Sequence, residues 1–236
     1  TDVVNTADKN TDLGKYDYIL IGLGAQQSDY GMVGLCALPG MLAFRSGVVF
    51  KSPSGKTIDN VALFCENAHM GTFIHDTTHM VGGFIGNQRM TPCLYDHDLQ
   101  MLYPTGEDAF KTLINMGFWD PLSSHFPYDK NLPPAGMCSW TKLRLNWIDP
   151  DQIALVKAGE TATVTLDPLT SKDAKTLVIR IPVTSTTYYL VENRQTISSD
   201  ANCPTTGILV SYADDTVLEC RNGEAPVRIM DANPKV

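Results

Sequence analysis

The sequence predicts an α+β protein in two parts, a mixed part over residues 1–149 and an all-β module over 150–236. Three observations carry this reading. In the first third, strand-length apolar runs bounded by turn residues lead into one stretch with helical periodicity. After Asp149-Pro150, short β-type runs follow one another, separated by Pro, Gly, Asp and Asn, with no helical period among them. With 236 residues, 43% hydrophobic and 19% charged, the chain is long enough for real cores in one large domain or two small ones.

Taken in order, residues 16–24, 47–51 and 60–65 read as strands, and the last feeds a helix over about 68–81. Met70, Phe73, Ile74, Thr77 and Val81 recur at helical spacing, which predicts that their face packs on the sheet while His75 and His79 point elsewhere. Gly82-Gly83 ends this helix, because glycine tolerates left-handed backbone. Residues 106–116 read as a short second helix, with Glu107 and Asp108 in the first turn where the helix dipole favours anions. The stretch 117–134 is turn-rich, as a loop crossing a cleft floor would be. In the module, 161–166, 177–183, 187–192, 207–212 and 216–220 read as strands of a sandwich-like fold.

A net charge of -8 and a pI near 5.0 argue against nucleic acid or an anionic membrane as partner, since both favour basic patches. No apolar run approaches the ~20 residues that span a bilayer. The six cysteines (Cys36, Cys65, Cys93, Cys138, Cys203 and Cys220) include no Cys-x-x-Cys pair, which disfavours a cysteine zinc cluster. They predict disulfides in an oxidising compartment, with Cys203 and Cys220, which flank 207–212, as one pair. The competing reading is six unpaired, buried small hydrophobes. The first residue is Thr1 and no signal-peptide pattern follows, so the chain reads as processed or trimmed.

His75-Asp76-Thr77-Thr78-His79 carries the chemistry. Histidines four apart share one helix face and can reach a single tetrahedral Zn²⁺ at about 2.0–2.1 Å. The pattern is one methylene away from the helical zinc-peptidase signature His-Glu-x-x-His, in which the acidic residue takes a proton from the attacking water. Asp76 therefore reads either as the general base or as a helix-surface carboxylate that orients a ligand histidine. Its carboxylate stands back by roughly 1.5 Å, a misplacement of the size that costs ~10²-fold in rate.

Several stretches in fixed order resemble the immune inhibitor A family of secreted zinc metallopeptidases: Met70 to His79, Pro92-Cys93-Leu94-Tyr95-Asp96, Gly117-Phe118-Trp119-Asp120-Pro121-Leu122-Ser123, Gly136 to Asp149, Tyr188 to Gln195 and Gly207 to Tyr212. The resemblance spans most of the chain from Lys15 to about Asp215. It implies a metzincin-like peptidase domain, one catalytic zinc, endoproteolysis of protein or peptide substrates, an extracytoplasmic location, and further structure upstream of Lys15. An upstream fragment of the same precursor is then a candidate partner. A calcium site is not readable from these residues.

The departures matter as much. The family pattern puts Glu at position 76 and a third ligand at position 85, where this chain has Asp76 and Ile85. If 84–91 is an insertion, Cys93 takes the ligand position; a thiolate binds zinc at about 2.3 Å. Asp96 is the other leading choice, with His97 and Asp98 nearby. The family's turn methionine is replaced by Leu122, which keeps its apolar bulk.

Other residues read more plainly. His69 is a polar residue at the helix start, His125 a solvated loop residue, Glu192 a buried carboxylate paired with Arg194 or a backbone amide, and Trp119, Trp140 and Trp147 core or packing residues. Two further classes compete with the peptidase. A His-Asp metal-dependent phosphohydrolase is disfavoured because those domains are all-helical and this chain is rich in strands. A catalytically weak or inactive descendant of the peptidase fold, with a binding or structural role, is favoured by the missing Glu and the displaced third ligand.

Overall fold

The computed structural model describes residues 2–30, 34–37, 50–51, 55, 57–58, 60–86, 88–102, 115–127, 129 and 131–232. The expected strand residues 47–49 and helix residues 106–114 lie outside them. The described structure is mixed α+β, and the chain divides into two compact units, Thr1–Met90 and Thr91–Val236.

The first unit contains α1 (Asp2–Asp8), β1 (Ile19–Leu23), α2 (Gln27–Tyr30), β2 (Gly34–Ala37), β3 (Phe50–Lys51), β4 (Thr57–Ile58), β5 (Val61–Cys65), α3 (Met70–Gly82), β6 (Phe84–Ile85) and β7 (Gln88–Arg89). Its principal sheet has the order β1-β5-β2, with β1 parallel and β2 antiparallel to β5. The central strand β5, Val-Ala-Leu-Phe-Cys, is a continuous apolar run, as expected of a strand covered on both faces. Successive side chains of a strand point to opposite faces, so β5 feeds two small cores. Val61 packs with Val4 and Leu13 on one side, and Ala62 and Phe64 pack with Cys36 and Met80 on the other.

The second unit contains α4 (His97–Leu102), α5 (Ser139–Arg144), β8 (Ile153–Leu155), β9 (Val178–Pro182), β10 (Thr187–Arg194), β11 (Gly207–Asp214) and β12 (Val227–Ile229), with 3-10 turns at Gly117–Trp119, Pro150–Gln152 and Ser198–Asp200. Its sheet runs β12-β11-β10-β9-β8, antiparallel except for the parallel β8–β9 pair. Leu94, Met116, Leu122, Trp140 and Ile148 share one core cluster with Leu177, Leu190, Ala213 and Val227. Residues on both sides of Asp149-Pro150 thus contribute to this cluster.

Several expectations are corrected here. Among the described residues the β-rich part is one five-stranded sheet, not two facing sheets. Residues 161–166 form no strand: Thr161, Ala162, Thr163 and Thr165 are exposed, and only Val164 and Leu166 are half-buried. Residues 216–220 form none either, since Thr216 donates from both its N and Oγ1 to Asp214 Oδ1 (2.9 and 2.6 Å) and turns the chain away. The sheet edge is β12 instead.

All six cysteines are buried and none is bonded to another, so the Cys203–Cys220 bridge is absent. Cys203 lies before β11 and Cys220 after it, at opposite ends of a strand that rises ~3.4 Å per residue. Cys203 Sγ donates to the Thr205 carbonyl (3.1 Å), and Cys220 Sγ accepts from Asn115 Nδ2 (3.4 Å). Trp140 is buried and Trp119 packs against the core, but Trp147 is 54% exposed and is no core residue.

Strand β10 places Tyr188, Leu190, Glu192 and Arg194 on its buried face. The last two form an ion network. Arg194 Nη1 donates to Glu192 Oε1 (3.0 Å), while its Nη2 donates to Asp200 Oδ1 (2.8 Å) and the Gly136 carbonyl (2.9 Å). Glu192 Oε2 accepts from the Ser139 amide (2.7 Å), tying the sheet to the start of α5. The sequence reading of Glu192 is met by both expected partners. Two carboxylates buried around one guanidinium tolerate its loss poorly. Arg194→Ala is expected to lower stability by about 3–5 kcal/mol in equilibrium urea unfolding; a loss below about 1 kcal/mol would show the network to be dispensable.

Candidate metal centre

Helix α3 starts at His69, which has extended backbone angles and whose Nδ1 accepts from the Gly71 amide (2.9 Å). A side chain that caps the first turn satisfies an otherwise orphaned donor, so His69 is the N-cap, in keeping with a polar role at the helix start. At the other end Gly83, at φ 64°, donates its amide to the His79 carbonyl (3.0 Å) and stops the helix.

Between these caps the helix buries the opposite face from the one its apolar residues predict. Met70 is 56% exposed, Phe73 37% and Val81 39%, whereas Thr72, His75, Asp76, His79 and Met80 are buried. Positions 72, 75, 76, 79 and 80 follow the i, i+3, i+4, i+7, i+8 spacing of one helix stripe. Four of the five are polar. The apolar pattern misled because Phe73 stacks on Phe64 (centroids 4.0 Å, 25° between planes) from the side of the helix.

The sheet comes close to this stripe at β2. A Cβ on Gly34 would stand 2.7 Å from both Asp76 Oδ2 and Thr72 Cγ2, so only glycine fits. Asp76 Oδ2 and Thr72 Oγ1 are both buried without a hydrogen-bond partner. Burial pushes the Asp76 carboxyl up to about 6, against a hydrogen bond from the Cys36 thiol and the positive charge of Arg89.

Farther along the helix, His75 and His79 bring their Nε2 atoms to 2.9 Å from each other, with the rings edge-on at 87°. Their donor atoms and Cys93 Sγ all lie within 4.8 Å of one another, and all three residues are buried. Two imidazoles and a thiol are the nitrogen and sulfur donors that zinc and its neighbours in the first transition row prefer. Tetrahedral ligands at about 2.0–2.1 Å stand about 3.4 Å apart, so the histidine nitrogens need to open by only about 0.5 Å to share an ion. The group can hold a metal ion.

The histidine pair was legible from spacing alone, and Cys93 from the aligned Pro-x-Leu-Tyr-Asp fragment. Asp96, the rival third ligand, is not part of the group. Its Oδ1 accepts from the Asp98 and Leu99 amides (2.8 and 3.0 Å), capping α4, and its Oδ2 accepts from the Gly223 amide (2.6 Å). Burial raises its carboxyl, but these amides and that of Asn222 outweigh it and hold the group below its ordinary value. With both oxygens engaged by backbone, Asp96 is a structural carboxylate. Asp98 in turn pairs with Arg221 (3.0 Å).

His125 is not solvated as the sequence suggested. It packs beside Tyr95 (centroids 5.8 Å) and Phe126 (6.2 Å), and burial, with the charge of His97, lowers its pKa to about 4. Leu122, at the turn-methionine position, is fully buried, and its carbonyl accepts from the amide of Leu94, next to Cys93 (2.8 Å).

Arg89 was not singled out from the sequence. Its Nη1 lies 3.3 Å from His79 Nε2. The signal was present in the two glycines that follow the helix: Gly83 and Gly86, both at φ 64°, let β6 and β7 fold back as a hairpin, and Met90 N bonds to the Gly83 carbonyl (3.0 Å).

No family model, curated protein or solved structure matches the chain.

The geometry separates ligands from neighbours. After loading with zinc and dialysis, elemental analysis is expected to find the metal lost from His75→Ala, His79→Ala and Cys93→Ala. Asp96→Asn should keep it while losing about 1–3 kcal/mol of stability as a cap is weakened. Full metal retention in both histidine variants would eliminate the centre.

Proposed function

We propose that this chain is a zinc-dependent hydrolase of the metzincin kind, resembling the immune inhibitor A peptidases, that cleaves protein or peptide substrates outside the cytoplasm. The observation that carries the proposal is the convergence of His75, His79 and Cys93 on one point, from a helix that turns its polar stripe inward. Three protein donors leave a fourth position open, which is the arrangement of catalytic rather than structural zinc. When bound there, zinc supplies a Lewis acid that brings a water's pKa toward ~7 and polarises a carbonyl.

The chain's own residues supply the rest. Asp76, next to His75 in sequence and carrying a carboxyl near 6, is the group available to take the water's proton as its oxygen bonds to the carbonyl carbon. The same proton then goes to the leaving nitrogen as the C–N bond breaks. The buried Leu122 keeps apolar bulk where the resembling family has methionine. Among the described residues no helix is long and apolar enough to cross a membrane. The extracytoplasmic location rests on the family resemblance alone, and the six unbonded thiols lend it no support.

A second reading has its own observation. Asp76 faces Gly34 and Cys36 on β2, and one of its oxygens has no partner. A carboxylate kept in that position is a structural group, and the chain is then a peptidase-fold protein that binds an ion and cleaves nothing. Hydrolysis of a quenched peptide by the zinc-loaded protein separates the two. The peptidase reading expects measurable wild-type cleavage, a gain on Asp76→Glu as the carboxylate is lengthened, and loss on Asp76→Asn, because an amide accepts no proton. Cleavage indifferent to Asp76→Asn with zinc still bound would remove Asp76 from the mechanism. No cleavage in any variant would establish the second reading.

A further inference from the structure

The end of α5 opens onto a cavity of about 380 Å³, within the ~300–1,000 Å³ range of small-molecule sites. The helix closes in a turn where Trp147 donates its amide to the Lys142 carbonyl (2.9 Å) and Asn146 donates to that of Leu143 (3.1 Å). Such a turn needs one left-handed residue, and Asn146 takes that position at φ 55°. Lys142 and Trp147 are thereby both set in the cavity wall. The 3-10 turn Pro150–Gln152 forms a further part of it: Asp149 N donates to Gln152 Oε1 (3.1 Å), and Gln152 Nε2 to the Ala174 carbonyl (3.1 Å). The wall is held by the protein's own hydrogen bonds, as expected of a preformed site.

The chemistry of the wall narrows the ligand. Trp147 is 54% exposed and presents a wide aromatic face among polar groups, which suits a ligand with one apolar face and polar edges. Lys142 Nζ uses one of its three N–H groups on the Leu169 carbonyl (2.9 Å). Burial lowers its pKa, while the negative charges of Asp200 and Glu192 act the other way. Its charge is thus already partly offset within the protein, and what it offers a ligand is N–H donors rather than an unmet positive charge. Asp149 and Lys172 bring one charge of each sign to the wall, which favours a ligand without net charge. Asp149 can accept hydrogen bonds, and the hydroxyls of Ser171 and Ser199 can both donate and accept.

We propose that this cavity is a saccharide-binding site, in which a neutral sugar ring lays its C–H face on the Trp147 indole and its hydroxyls meet Lys142 Nζ and the Asp149 carboxylate. A hydroxyl both donates and accepts, so a ring edged with hydroxyls answers a wall that carries donors and acceptors together. No bond is made or broken there. None of the lining residues belongs to the metal centre.

Cellotriose, chitotriose, maltotriose and mannotriose are the probes, titrated into the full chain by isothermal calorimetry. At least one is expected to bind with saturation, one per chain. Trp147→Ala should weaken that sugar about tenfold or more, whereas Trp147→Tyr, which keeps an aromatic face, should stay within about threefold of wild type. Lys142→Met keeps the apolar stem and loses the donors, and should also weaken it about tenfold. Circular dichroism checks that each variant is folded, and the exposure of Trp147 predicts that both of its variants are. Saturation by none of the four sugars would overturn the proposal, as would wild-type affinity in Trp147→Ala. Binding of inorganic phosphate in place of the sugars, lost in Lys142→Met and fading with added salt, would make the cavity an anion site and overturn it equally. The titrations need no zinc, so their outcome is separate from that of the metal centre.

Discussion

The inward polar stripe of α3 is the constraint on which the rest of the first unit depends. A helix with Met70, Phe73 and Val81 available would bury those residues if packing alone decided, yet it buries Thr72, His75, Asp76 and His79. Unpartnered buried polar atoms cost about 1–3 kcal/mol each, and Thr72 Oγ1 and Asp76 Oδ2 are two of them. Such an arrangement runs against foldability unless a function retains it. Gly34 follows from it, because β2 has to approach to within contact of Asp76 and Thr72. So does the hairpin after Gly83, which brings Arg89 to the histidines.

Charge burial is handled differently in the two units. Around Arg194, opposite charges and backbone groups share the guanidinium: two carboxylates and two carbonyls accept from it, while Arg194 Nε and Asp200 Oδ2 stay buried without a partner. Around Arg89, one guanidinium nitrogen lies 3.3 Å from His79 Nε2, and the Asp76 carboxylate feels its positive charge. The first is an ion network that specifies how a sheet meets a helix.

How much of this the sequence disclosed depended on the range of the interaction. Strand β5, helix α3 and the strands β9, β10 and β11 were legible because each carries its own period or its own run of apolar residues. The histidine pair was legible for the same reason, being four residues apart on one element. Strands β2, β8 and β12 were missed: each is only three or four residues long and is defined by its neighbour rather than by its pattern. The direction in which α3 faces was misread because apolar periodicity assumes a helix buries its apolar side, and here the buried stripe is mostly polar. Asp96 looked like a ligand from its place in the Pro-x-Leu-Tyr-Asp fragment, but only tertiary structure brings it the Gly223 amide that occupies its second oxygen. The expected disulfide failed because proximity in sequence across a strand is not proximity in space.

The central claim is that His75, His79 and Cys93 bind one zinc ion between them. X-ray absorption at the zinc edge of the metal-loaded protein reads the donor set directly. The account predicts one sulfur at about 2.3 Å and light-atom donors at about 2.0–2.1 Å, two of them with the outer-shell scattering of imidazole. A first shell with no sulfur, or one of sulfur alone, would contradict it.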